Sequence, residues 1–131
     1  MNREIKFRAK HVHAFSKNRK LDGIWVYGYY CDENYIRTDN AEKLIDKNTL
    51  GQYTGFKDIN DKEIYEGDIV NIIVNNNVKN YGKIIFKDGC YVVSIEIPEI
   101  TPSLDWIIGV ANVEIIGNIY ENPELLEESE D

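Results

Sequence analysis

The stretch GKIIFKDGCYVVSIEI, residues 82–97, most constrains what this chain can fold into. On both sides of Asp88-Gly89 it is rich in β-branched and aromatic residues, and that dipeptide accepts the positive φ of a tight hairpin turn. The pattern predicts two antiparallel strands, and their outer edges then need neighbours. The rest of the chain supplies them. EIYEGDIVNIIV contains a long strand. IWVYGYYC and YIRT, joined by DEN, form a second hairpin, with Trp25, Tyr27 and Tyr29 on one face and Ile24, Val26 and Tyr30 on the other. IKFRAKHVHAF alternates Ile5, Phe7 and Ala9 against Lys6, Arg8 and Lys10, and predicts the first strand.

Helical signals are few. Asp39 or Asn40 can cap a short helix through AEKLID. Asn122 can cap another, with Pro123 at its first position and Leu125 and Leu126 docking it. LDWIIGVANVEIIGNIY predicts one or two closing strands. SKNRKLDG and NNNVKN are turn-rich connections. The expected fold is mainly β with minor α: an N-terminal strand and hairpin unit with a short helix over 1–51, an SH3-like small barrel over 52–120, and a short helix with an acidic tail over 121–131.

Length and charge narrow the function. A chain of 131 residues builds a real core without staples. It has no apolar run of the roughly 18 residues a bilayer crossing needs, and no apolar segment follows the charged start, so a cytoplasmic protein is expected. The net charge is −8 but segregated: Arg3, Lys6, Arg8, Lys10, Lys17, Arg19 and Lys20 stand against Glu4 alone at the start, while ENPELLEESED carries only acids. Such a layout suits head-to-tail self-association, a nucleic-acid-facing start, or simply a solvated strand and a solubilising tail.

The carboxylate-rich run from Tyr53 to Val70 raises the question of a metal or catalytic site. In a calcium-loop frame starting at Asp58, Lys62 falls where an oxygen ligand belongs, Glu63 replaces the turn glycine and Ile69 replaces the bidentate glutamate. That frame fails. Glu66 and Asp68 would share a face if both lay on a strand, as a metal-dependent nuclease could use, but further ligands are missing. The better reading is architectural: Thr54-Gly55, Asn60-Asp61 and Gly67-Asp68 bend the backbone. His11 and His13 lack partners for zinc, and Cys31 and Cys90 fit no ligand spacing. No cofactor and no catalytic residue is indicated.

Three segments then carry a resemblance. IKFRA, LGQYTGFKDINDKEIYEGDIV and IIGNIYENPELL, in this order and spacing, resemble the YopX family of phage and prophage proteins. The resemblance implies a mostly β protein with an SH3-like portion, encoded by a phage or prophage and acting in the bacterial cytoplasm, with no established activity. Its structural motif falls here on Phe7, Tyr53, Thr54, Gly55, Asp58, Tyr65, Glu66, Gly67, Asp68, Gly117, Asn118 and Tyr120. Two positions depart from it. Lys10 stands where the family often has Trp, and Asp61 where a turn glycine is usual; aspartate tolerates the left-handed region, so the turn is expected to survive.

The functional expectation is a non-enzymatic accessory protein working through protein–protein contact, chiefly with itself as a homo-oligomer, with host or phage proteins as further partners. The alternative is nucleic-acid binding through the basic first strand and the aromatic hairpin, where Lys6, Arg8 and Lys10 would follow phosphates and Trp25, Tyr27 and Tyr29 would stack on bases. Those six residues are the candidate binding set under either reading.

Overall fold

The computed structural model describes residues 5–12, 23–32, 34–38, 41–74, 80–96 and 99–127. Strands β1 (Phe7–His11), β2 (Trp25–Asp32), β3 (Tyr35–Arg37) and the long β4 (Glu42–Lys57) come first. Strands β5 (Glu63–Tyr65), β6 (Asp68–Ile73), β7 (Tyr81–Lys87), β8 (Cys90–Glu96) and β9 (Glu99–Ile100) lead to helix α1 (Leu104–Val110). Strand β10 (Asn112–Asn118) and helix α2 (Glu124–Glu127) follow. The protein is mainly β and divides into two compact units, Met1–Tyr53 and Thr54–Asp131.

In the first unit the strands close into a ring. β1 pairs with β2 and β4, and β3 pairs with the same two strands, all antiparallel. Closure is tight at Gly28: a side chain there would run into the Arg37 carbonyl and Ile36, so glycine is needed for β3 to approach β2. The β1–β4 register slips between Arg8 and Lys10, where β4 bulges between Asp46 and Gly51. Thr49 repairs the ladder. Its hydroxyl donates to the Asp46 carbonyl (2.7 Å) and accepts from the Lys10 N–H (2.8 Å). Inside the ring Ala9, Ile36 and Ile45 are buried, with Phe7, Val26 and Leu50 half-buried against them.

AEKLID therefore lies at the start of β4 and in the loop leading to it, not in a helix. Its propensity was overridden by tertiary pairing: β3 needs a second neighbour, and Ile45 fills the ring only when residues 42–45 are extended. Asp39 and Asn40, the expected caps, lie outside the described residues, as do 13–22, 75–79 and 128–131.

The second unit carries an antiparallel sheet of order β10-β6-β7-β8-β9. Asp88 (φ 53°) and Gly89 (φ 86°) make the β7–β8 turn that the residue pattern predicts. Ile64, Val70, Ile84, Val93, Leu104 and Val113 are among the residues that form one continuous core. Burying each such aliphatic side chain is worth roughly 1.5–3 kcal/mol, so this core dominates the unit's stability.

LDWIIGV, expected as a strand, is α1. Ser103 caps it by accepting from the Trp106 N–H (3.1 Å), and Leu104 and Ile107, three apart, point into the core. Asn122 does not cap α2 with its side chain, which accepts instead from the Asn118 N–H (3.2 Å). Leu125 and Leu126 are half-buried, as docking residues would be.

Candidate functional site

The alternation of β1 and the register of the β1–β2 pair settle where the candidate binding residues lie. Directly opposed residues in an antiparallel pair share a face. Arg8 faces Tyr27 and Lys10 faces Trp25. Lys6 and Tyr29 continue the same alternation, so all six occupy the outer surface of the ring. Tyr29 also faces Arg37, and Arg37 faces Glu42, with 3.3 Å between their charged groups. Arg37 was not among the expected binding residues. Its signal was YIRT itself, since a hairpin partner of Tyr29 had to bring one side chain to the same face.

The cations on this face lean on rings. The Arg8 guanidinium carbon lies 4.5 Å from the centre of the Trp25 ring, and the Lys10 Nζ lies 5.6 Å from the same ring. Lys6 Nζ lies 5.7 Å from the ring of Tyr53, whose N–H donates to the Lys6 carbonyl (2.8 Å). Each contact is worth about 0.5–2 kcal/mol, more as it is desolvated. Arg8 is only 7% exposed, so the expected row of solvated cations is incomplete at its centre. Lys6 and Lys10 are half-buried. Tyr27 and Tyr29 remain open, at 47% and 62% exposed.

The carboxylate-rich run folds into backbone supports. Asp58, buried, accepts at Oδ1 from the N–H groups of Asn60 (2.8 Å) and Lys62 (2.9 Å). Its Oδ2 accepts from the Ile115 N–H of β10 (3.0 Å). Asp61 sits at φ 67°, as expected of an aspartate holding a glycine's place. Thr54 and Gly55 do not make a turn: both lie inside β4, Gly55 at φ 90°, with the Thr54 hydroxyl donating to the Ile64 carbonyl (2.8 Å).

Glu66 and Asp68 do not share a strand face either. Glu66 belongs to the turn between β5 and β6, and Asp68 begins β6 with Oδ2 accepting from the Tyr65 N–H (2.8 Å). The terminal motif meets this turn. The Ile119 N–H donates to the Gly67 carbonyl (2.9 Å), Asn118 pairs with Asp68, and Tyr120 packs over Gly67, where a Cβ would come within 3.1 Å of its ring. Asn118 Oδ1 accepts from the N–H groups of Tyr120 and Glu121, and Gly117 leaves room for the Asn122 side chain. Thr54, Asp58, Asp68 and the Asn118 Oδ1 thus serve backbone groups, while the Tyr65 hydroxyl donates to Glu63 (2.9 Å) and the Asn118 NH2 group to Glu121 (2.8 Å). Among the described residues no group of three or more His, Cys, Asp or Glu side chains is placed to hold a metal ion. The ring of His11 donates from Nδ1 to the Leu44 carbonyl (2.8 Å), a carbonyl being only an acceptor; His13 lies outside the described residues. Cys31 and Cys90 are exposed free thiols.

The molecule is thus a two-unit β protein whose motif residues brace turns and whose outer ring surface presents aromatics and cations. The YopX protein family matches residues 4–127, and the chain belongs to that family. A comparison with curated proteins finds no match.

Proposed function

We propose that this protein is a non-enzymatic accessory protein of a phage or prophage, acting in the bacterial cytoplasm by protein–protein contact and assembling with copies of itself. The observation that carries this reading is the exposed pair Tyr27 and Tyr29 on the outer ring surface. Tyrosine supplies rigid amphipathic contact area and is enriched where proteins meet. The acids of the central run support the non-enzymatic part, since Asp58 and Asp68 hold main-chain amides. Among the described residues no helix is long and apolar enough to cross a membrane. For the second unit we favour an SH3-like barrel. β6, β7 and β8 form a meander, and β10 returns after a short helix to pair with β6, a topology that suits such a barrel.

Light scattering behind size exclusion, over a range of concentrations, tests the assembly. A particle larger than one chain that shrinks when Tyr27 and Tyr29 are replaced by Ser supports it, and a monomer under all conditions ends it. Nucleic-acid binding is the second reading, favoured by the register that puts Lys6, Arg8, Lys10, Trp25, Tyr27 and Tyr29 on one face. Against it, Trp25 already carries Arg8 and Lys10, which leaves only two tyrosines for base stacking. Salt-sensitive retention of labelled single strands would favour this second reading.

A further inference from the structure

The outer ring surface has a definite chemistry. Lys6 and Lys10 flank the exposed rings of Tyr27 and Tyr29, and Arg37 continues the surface across β3 with its side chain 65% exposed. Every cation is propped by a ring or by one carboxylate, so the charges are held in place before any partner arrives. An extended acidic peptide fits this surface, its carboxylates on the ammonium and guanidinium groups and its stem along the tyrosine rings.

We infer that the occupant is the acidic C-terminal segment of a second copy, residues 127–131, with sequence EESED. This rests on the assembly proposed above and names its two surfaces. Charge complementarity carries the choice. The chain's net charge of −8 opposes association between copies, and a contact that joins its basic face to its acidic end reverses that repulsion locally. From Glu121 onward the chain has six acids and no lysine or arginine, whereas the face carries Lys6, Arg8, Lys10 and Arg37 against Glu42, opposite Arg37, and Asp46, opposite Lys10. The segment begins at Glu127, the last residue of α2, in which Leu125 and Leu126 are half-buried. Two copies that exchange tails form a closed pair; a one-way exchange would grow into a chain of copies.

The experiment uses the full protein, a variant lacking residues 128–131, and the face variant Lys6→Glu/Lys10→Glu, each checked for an unchanged far-UV spectrum. Sedimentation equilibrium is run at about 50 and about 500 mM salt, because exposed charge contacts are screened over that range. For the full protein the dissociation constant between copies should rise by about tenfold or more with salt. Each variant alone should show a comparable rise at low salt. Mixed together, the two variants should associate more tightly than either does with itself, since one keeps a face and the other a tail. If the copies associate but tail removal and salt leave the constant unchanged, another surface joins them; the inference then fails and the assembly stands. Monomers at every concentration overturn both, whether or not their hydrodynamic radius grows with salt. If labelled single-stranded DNA binds and only the face variant loses it, without tail-dependent association, the face belongs to nucleic acid and the inference fails.

Discussion

Asp58 offers the sharpest test of the view that the central acids are structural. Its carboxylate holds two turn amides and one amide of β10, at 2.8, 2.9 and 3.0 Å. A hydrogen bond to a charged group is worth about 1.5–3 kcal/mol when its loss strands the donor, and far less when water can replace it. Asn60 and Lys62 are exposed, so their amides find water once Asp58 is gone, while the Ile115 amide lies half-buried at the edge of the sheet. Asp58→Ala should therefore cost about 2–4 kcal/mol, most of it from Ile115. At about 4 °C per kcal/mol for a protein of this size, the melting temperature falls by roughly 8–16 °C.

Asp58→Asn separates the two roles. Its remaining oxygen can serve the turn, but its NH2 group then faces the Ile115 N–H, donor against donor. The expected cost is about 1–2 kcal/mol, and native-state hydrogen exchange localises it: the Ile115 amide exchanges about tenfold faster while Asn60 and Lys62 change little. Equal protection of Ile115 in the wild type and Asp58→Asn would refute the reasoning. So would a manganese ion bound by Asp58, Glu66 or Asp68 and lost in the same variant.

Gly67→Ala forces a side chain into φ 95° and onto the Tyr120 ring, and should lower stability by about 1–3 kcal/mol in a denaturant melt. Gly28→Ala should open the ring by displacing β3, seen as faster exchange of the Ile36 and Arg37 amides with the second unit's core amides unaffected. Ile36→Ala removes the largest wholly buried side chain of the first unit's small core and should cost about 2–5 kcal/mol by urea titration. Trp106→Ser, at a residue 61% exposed, should change stability by no more than about 0.5 kcal/mol, which thermal melting resolves.

Hairpins were legible from residue types because their information is local. Asp88-Gly89 dictates its own turn, and the strands around it follow. The face shared by Lys6, Arg8, Lys10, Trp25, Tyr27 and Tyr29 was legible in part. Period-two alternation sorts each strand, but only the register joins the two sets. Two features lay beyond that reach. AEKLID has helical propensity and becomes extended because β3 requires a partner, a demand that comes from elsewhere in the chain. The burial of Arg8 likewise depends on Trp25 arriving across the sheet, which no pattern within β1 announces. LDWIIGV is different, for Ser103 followed by apolar residues three apart was a readable helix start, masked by the strand-like run after it.

The closed ring has a consequence for recognition. Peptides are often captured by strand addition, in which a guest lengthens an open sheet and is read through its main chain. Among the described residues, each strand of the first unit pairs with two others, which limits the ladder a guest can extend. Whatever this unit recognises must be selected by side-chain identity on a convex wall, so point substitutions there should retune partner choice without disturbing how the wall is built.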